Sequence, residues 1–121
     1  MVAKTVRSRK ARGRRLQQWV RDKLLDLLPV TTRDIESTTM GDTGADVKLS
    51  EKAFNYFPFE VECKNQERLN IWESYKQAQG HGQGEPLLII KRNHTKPLAV
   101  IDAEYFLELC CQAHVEKKDN D

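Results

Sequence analysis

One stretch of eight residues decides the fold of this chain, and it reads Phe57-Pro58-Phe59-Glu60-Val61-Glu62-Cys63-Lys64. Apolar and polar residues alternate along it with a period of two, which predicts a β-strand with one buried face. The odd-numbered positions form the apolar face, and Glu60, Glu62 and Lys64 share the other. Charged groups on a strand inside a fold are costly to remove from water. We therefore expect these three residues to serve a functional site.

A further acidic residue lies sixteen positions before Glu62, where a glycine-rich turn leads into a short strand that reads Gly41-Asp42-Thr43-Gly44-Ala45-Asp46-Val47. Phosphodiester hydrolysis needs a cation on the phosphate and a group that activates water. Mg²⁺ needs only one or two carboxylates and a carbonyl, because it keeps several waters. The pattern predicts a divalent-metal nuclease with Asp46, Glu62 and the Cys63 carbonyl as ligands. Lys64 would position or deprotonate the water, or neutralise the phosphate.

A Glu-x-Lys tripeptide also occurs on the wet face of ordinary surface strands, so it is weakly specific alone. Three features favour the site: an apolar and central strand, an Asp that follows a glycine-rich turn, and a basic N-terminus. Glu60 is expected in a supporting role, as an extra ligand or as a group that orients a metal-bound water.

Charge is distributed unevenly along the 121 residues, although the net charge is only +2. The first 21 residues contain no acid and eight of the 20 basic residues, so the rest has twelve basic against eighteen acidic residues. The eight are Lys4, Arg7, Arg9, Lys10, Arg12, Arg14, Arg15 and Arg21. A basic segment on an acidic body predicts a polyanionic partner held by the N-terminus.

The length fits one domain with a single core. We expect a basic flexible arm over residues 1–11, a nuclease-like domain over 12–115 and a charged tail over 116–121. The 3 cysteines make no disulfide framework, which favours a reducing compartment. The N-terminus lacks the apolar region of a secretory signal, and no apolar run approaches the roughly 18 residues that span a bilayer. A soluble, cytoplasmic protein without a membrane partner is expected.

Periodicity predicts an α/β fold, with a mixed central β-sheet flanked by helices. Helices are expected over about 12–28, 70–79 and 102–114, and strands over 46–49, 58–64, 86–92 and 97–101. Residues 31–44 read as a loop or an irregular edge strand, and Ser50 as the cap of one helical turn. Core positions on the helices include Trp19, Trp72 and the inward-facing Phe106, Leu107 and Leu109.

Asp46 and Glu62-Cys63-Lys64, followed by a Gln-bearing helix, resemble the PD-(D/E)xK nuclease superfamily. Two further stretches are similar to small Holliday-junction resolvase-type members and their short phage-encoded relatives: the basic opening of the first helix, residues 9–15, and the polar loop Ser37-Thr38-Thr39-Met40-Gly41. The resemblance covers about residues 9–101. It implies a restriction-endonuclease-like core, and Mg²⁺ or Mn²⁺ on Asp46 and Glu62.

The same resemblance implies a homodimeric DNA endonuclease that is selective for branched DNA, in the host cytoplasm if the chain is phage-encoded. Lys64 would be the catalytic lysine, with Ser37 and Thr39 in support. DNA would be held by Arg7, Arg9, Lys10, Arg12, Arg14 and Arg15.

The chain departs from the resolvase pattern on its first helix, where Gln17 and Gln18 stand in place of the usual Glu. An amide oxygen is a weaker, neutral ligand, so Gln17 would bind the metal weakly or through water. Gln77, on the helix after the strand, is similar to a polar helix residue that reaches the active site in several branches, or it is an ordinary exposed Gln.

Two functions other than a nuclease are alternatives for this sequence. The second hypothesis is a non-catalytic nucleic-acid-binding module, in which the acids are structural. A third is a protein-interaction domain whose acidic body mimics DNA, which the basic N-terminus argues against. The histidines and cysteines lack the spacing of a zinc site.

Overall fold

The computed structural model describes residues 6–38 and 44–119, and it confirms a mixed α/β fold with a five-stranded sheet flanked by helices. The elements in chain order are α1 (Val6–Leu27), β1 (Ile35–Ser37), β2 (Val47–Leu49), α2 (Glu51–Tyr56), β3 (Phe59–Asn65), α3 (Ile71–Gln79), β4 (Glu85–Lys91), β5 (Leu98–Val100) and α4 (Ala103–Asp119).

The sheet has the strand order β1-β2-β3-β4-β5, so the strand that decides the fold lies at its centre. β3 and β4 are parallel, in a register that runs from Phe59 opposite Glu85 to Asn65 opposite Lys91. The other neighbouring pairs are antiparallel. A parallel pair needs a crossover connection, and α3 supplies it.

The two faces of β3 differ as the alternation predicts. Val61 and Cys63 are buried in a core cluster with Leu16, Val20 and Leu24 of α1. The opposite face carries Glu62 and is covered by α3, whose buried residues are Ser74 and Ala78. Small side chains let α3 lie close to the sheet. The sheet therefore separates an apolar α1 side from an α3 side that holds a charged residue.

Residues 6–11 of the predicted flexible arm lie in α1, which begins at Val6. This part contains Arg7, Arg9, Lys10 and Ala11, which favour helix. Arg12 is also fixed to the sheet, since its carbonyl accepts a hydrogen bond from Asn65 Nδ2 at 3.2 Å. Residues 1–5 of the arm lie outside the described chain. At the other end, α4 continues to Asp119 and includes part of the predicted charged tail.

Several predicted core positions are wrong. Trp72 is 86% exposed, and Trp19 is exposed beneath Lys23, whose Nζ lies 5.8 Å from the ring centroid. On α4 the exposed apolar residues include Phe106, Leu107 and Leu109. α4 contacts the core through Tyr105, whose ring meets Phe59 edge-on at 5.7 Å between centroids. An apolar helix face therefore predicted burial only in part, since Leu16, Val20 and Leu24 of α1 are buried.

The predicted starts of α2 and α3 are confirmed by their caps. Ser50 Oγ accepts from the Ala53 N–H at 3.1 Å, and Asn70 Oδ1 accepts from the Glu73 N–H at 3.1 Å. Of the loop and the irregular edge strand that residues 31–44 left open, β1 is an edge strand. Among the described residues, no helix combines the length and apolar character needed to cross a membrane.

Candidate active site

Asp46 lies where β2 and β3 begin to pair. Val47 stands opposite Val61, and the Asp46 N–H donates to the Val61 carbonyl at 2.8 Å. The Asp46 carboxylate then accepts a hydrogen bond from the Cys63 N–H, with 2.7 Å between Oδ2 and the nitrogen. A side chain thus binds a main-chain donor of β3, as a strand carbonyl does elsewhere in a sheet. This contact holds the first predicted acid beside the Glu-x-Lys segment.

Glu62 is the centre of the charged cluster. It is 7% exposed, so a lone carboxylate there would be strongly unfavourable. Its Oε1 lies 3.6 Å from Lys64 Nζ, and its Oε2 lies 2.5 Å from Nε2 of His81. The strand alternation puts Glu62 and Lys64 on one face, as predicted. The buried carboxylate therefore has a partner on each oxygen.

His81 is the functional residue that the sequence interpretation missed, since it entered only as part of an unsupported zinc site. It follows Gly80, the residue that ends α3, and its N–H donates to the Ala78 carbonyl at 3.3 Å. The order of the predicted elements nevertheless indicates where His81 lies. A crossover helix from β3 to a parallel neighbour covers one face of both strands, so the residues that follow it return to that same face. The face that α3 covers carries Glu62.

Electrostatics ties Asp46 to the same cluster. Burial raises the pKa of Asp46 above its ordinary value of 3.8, the hydrogen bond from Cys63 lowers it, and the nearby Glu62 carboxylate raises it. With all contributions together, the pKa is about 6. The charges of His81 and Lys64 act in the opposite direction. Two carboxylates that disfavour each other's charge form a site that a cation stabilises.

This donor set fits Mg²⁺ or Mn²⁺ better than zinc. In residues 6–38 and 44–119, no group of three or more His, Cys, Asp and Glu side chains is arranged around one point. Two carboxylates suffice for Mg²⁺, because it retains water ligands. The Cys63 thiol faces the apolar core, and burial raises its pKa well above the ordinary value. Cys63 therefore offers only its main-chain carbonyl.

Gln17 is placed beside β1. It is buried, and its Oε1 accepts a hydrogen bond from Ser37 Oγ at 3.0 Å. Thr38, which was not assigned a role, donates from both Oγ1 and N–H to the Asp46 carbonyl, at 3.1 and 2.9 Å. Thr38 therefore holds the main chain of the candidate ligand. Thr39 lies outside the described residues.

Glu60 and Gln77 are not brought into the cluster. Glu60 packs against the loop that follows α3: its Oε1 accepts from the Gly84 N–H at 3.4 Å, and a Cβ on Gly82 would come within 2.8 Å of that oxygen. Gln77 lies on the exposed side of α3. Glu60 therefore holds the loop that carries His81, and this is its visible contribution to the site.

The cations predicted to bind DNA are carried by the N-terminal half of α1. Arg12 is half-buried, and the exposed members are Arg7, Arg9, Lys10, Arg14 and Arg15. They lie on a helix whose Arg12 contacts Asn65, three residues beyond Glu62. The basic segment is thus attached near the carboxyl end of the strand that carries the cluster.

No family model, no curated protein and no solved structure matches this chain.

Proposed function

We propose that this protein is a metal-dependent DNA endonuclease that hydrolyses phosphodiester bonds. The observation that carries the proposal is the convergence of Asp46, Glu62 and Lys64 at the junction of β2 and β3. Asp46 alone is a common residue at a strand start. Its carboxylate is partly buried and lies close to Glu62, and both features raise its pKa, so this arrangement is one that stability does not require.

Each residue of the site has a separate role that follows from its position. Asp46 and Glu62 would hold Mg²⁺ or Mn²⁺, with the Cys63 carbonyl between them. When bound, such a cation supplies Lewis-acid polarisation of the phosphate and a more acidic water. Lys64 lies 3.6 Å from Glu62, a loose ion pair that leaves its ammonium group free to meet a phosphate oxygen. His81 fixes the second oxygen of Glu62 and so orients that carboxylate.

The substrate class and assembly belong to the same proposal. The exposed cations of α1 suit a polyanion of extended length, such as DNA. Branched DNA as the preferred substrate rests on the resemblance to junction resolvases. A homodimer is supported by α4, a 17-residue helix that exposes Phe106, Leu107, Leu109 and Val115. These side chains point in different directions around α4, and a second copy of the chain that packs on α4 would cover some of them and place two active sites in one particle.

The test is cleavage of nicked, branched and linear DNA with Mg²⁺ or Mn²⁺. We expect Asp46→Asn and Lys64→Ala to lower the rate at least about 100-fold, because the first removes a metal ligand and the second removes a cation from the reacting phosphate. Lys52→Ala, which removes an exposed cation on α2, is the control and should cleave normally. Mn²⁺ binding, followed by calorimetry, should be lost in Asp46→Asn and kept in Lys52→Ala. Full cleavage by both site variants would disprove this active site, and no cleavage by the wild type would disprove the nuclease.

A non-catalytic nucleic-acid-binding module is the second candidate. One observation favours it: Lys64 and His81 already contact both oxygens of Glu62, so that carboxylate has partners without a metal. This reading predicts DNA binding that survives chelation, no cleavage of any substrate, and no Mn²⁺ binding by the wild type.

A further inference from the structure

A cavity of about 260 Å³ lies on the α1 side of the sheet, on the face opposite Glu62 and Lys64. We call it the α1 pocket. α1 forms one wall, and the ends of β3 and β4 with the turn after β4 form the other. The residues that matter to its chemistry are Arg12, Arg15, Trp19, Asn65, Lys91 and Asn93.

The charge of the α1 pocket selects for an anion. Arg12, Arg15 and Lys91 are basic, and none of the described residues that line the pocket is acidic. Cations collected around a concave surface focus a positive potential into it. Lys91 Nζ donates one hydrogen bond to the Arg92 carbonyl at 3.1 Å, and an ammonium group has two further N–H donors.

Arg12 gives a second, independent indication of a ligand. Its Nε is buried and has no hydrogen-bond partner among the described residues, while its side chain lines the pocket. Buried polar groups in native proteins are almost always paired, so an exception calls for a missing partner such as a bound ion. The backbone of Arg12 is held by Asn65, which keeps the side chain at the pocket wall. An oxyanion in the pocket would supply the acceptor that Arg12 lacks.

The aromatic residue of the pocket indicates which chemical group of the ligand lies beside the anion. Trp19 is exposed and lines the pocket with its aromatic side chain, and Lys23, whose Nζ lies 5.8 Å from the ring centroid, is not among the described residues that line it. Unpaired bases stack on aromatic side chains, and the interaction tolerates any base. The volume of about 260 Å³ is several times the roughly 30 Å³ that one water occupies, and it falls just short of the range of drug-sized sites. A phosphate with part of its nucleoside fits that size.

We propose that the α1 pocket binds one nucleotide unit of a single-stranded nucleic-acid segment. Arg12, Arg15 and Lys91 hold the phosphodiester, and Trp19 stacks on the base. The exposed cations toward the start of α1 would contact further phosphates of the same nucleic-acid strand. This favours a polymer over a free nucleotide as the ligand. The proposal deepens the nuclease function and rests on it for its substrate: an unpaired strand next to the scissile duplex is a feature of branched DNA.

The experiment uses the full chain in EDTA, so that cleavage does not contribute. The chain has 2 tryptophans, and Trp72→Phe changes the one that is 86% exposed, which leaves Trp19 as the reporter. In this background, a short oligothymidylate should quench Trp19 fluorescence and saturate. Arg15→Gln and Lys91→Gln should each weaken binding about fivefold or more. Arg33→Gln is the matched control, an exposed arginine outside the pocket, and should change the affinity less than about twofold. Thermal melting confirms that each variant is folded.

Three results would overturn the proposal: no quenching, equal weakening by Arg15→Gln and Arg33→Gln, or equal quenching by duplex DNA. Inorganic phosphate or thymidine monophosphate that quenches as strongly as the oligonucleotide would instead make the pocket a site for a free phosphorylated ligand. Cleavage with Mg²⁺ is measured separately. Quenching without cleavage disproves the nuclease and keeps the pocket, whereas cleavage without quenching does the reverse.

Discussion

The ionisation of Asp46 links the site to stability. Its folded pKa of about 6 lies above its ordinary value of 3.8, so the folded state prefers the protonated carboxyl. The stabilisation is complete below about pH 4 and is lost as pH rises to about 6. The full shift is worth roughly 3 kcal/mol, and solvent screening at this partly exposed group reduces it to about 1 kcal/mol.

We therefore expect the wild type without divalent cations to lose about 1 kcal/mol of unfolding free energy between pH 4 and pH 6.5, relative to Asp46→Asn. The Asn amide oxygen can still accept from Cys63, so the variant serves as the control. Urea denaturation across the pH range measures the difference. Mg²⁺ at pH 7 should stabilise the wild type alone, and parallel pH profiles for the two proteins would contradict the assignment.

The contact between His81 and Glu62 is a second effect at the scale of single residues. His81→Ala leaves one oxygen of a buried carboxylate without its partner, which should destabilise the fold by about 1–3 kcal/mol. In a Glu62→Gln background the same change should have a smaller effect, because no buried charge remains. A double-mutant cycle by chemical denaturation measures the coupling. A coupling near zero would show that His81 does not act through Glu62.

At the scale of elements, α4 is the helix on which several apolar residues lie outside the core. If α4 forms the dimer interface, Leu107→Glu should convert a dimer into a monomer, since it introduces a charge on an apolar contact surface. Gln112→Glu introduces the same charge at another exposed position of α4 and should remain dimeric. Sedimentation velocity at tens of micromolar separates the two states. A monomeric wild type at that concentration would remove α4 as an interface.

The elements also show what a sequence can predict. The alternation of apolar and polar residues in β3 predicted which residues lie on each face, because a strand has only two faces and the apolar one packs against the core. Helix faces were less informative: Trp19, Trp72 and Leu107 are apolar and exposed, since periodicity identifies an apolar stripe but not whether this chain covers it. The position of His81 beside Glu62 depends on where the chain returns to the sheet after α3, and this follows from the order of the strands.

For the whole molecule, the uneven charge distribution predicts strongly salt-dependent DNA binding. Six phosphate contacts, one for each of the six α1 cations assigned to DNA, give a slope of about −5 for log K against log salt. Affinity should therefore fall about a thousandfold between 50 and 200 mM salt. Charge reversal of Arg7 and Lys10 to Glu should flatten the slope by about 2 or more. Fluorescence anisotropy with labelled DNA measures it, and an unchanged slope would place the phosphate contacts elsewhere.

The hydrogen bond from the Cys63 N–H to Asp46 gives the site a spectroscopic handle. The nuclear shielding of this one amide depends on the charge of the carboxylate that accepts its proton. Its ¹⁵N chemical shift should trace the titration of Asp46 and move again when a cation binds. A single resonance in the middle of β3 would then report occupancy of the site without any substrate.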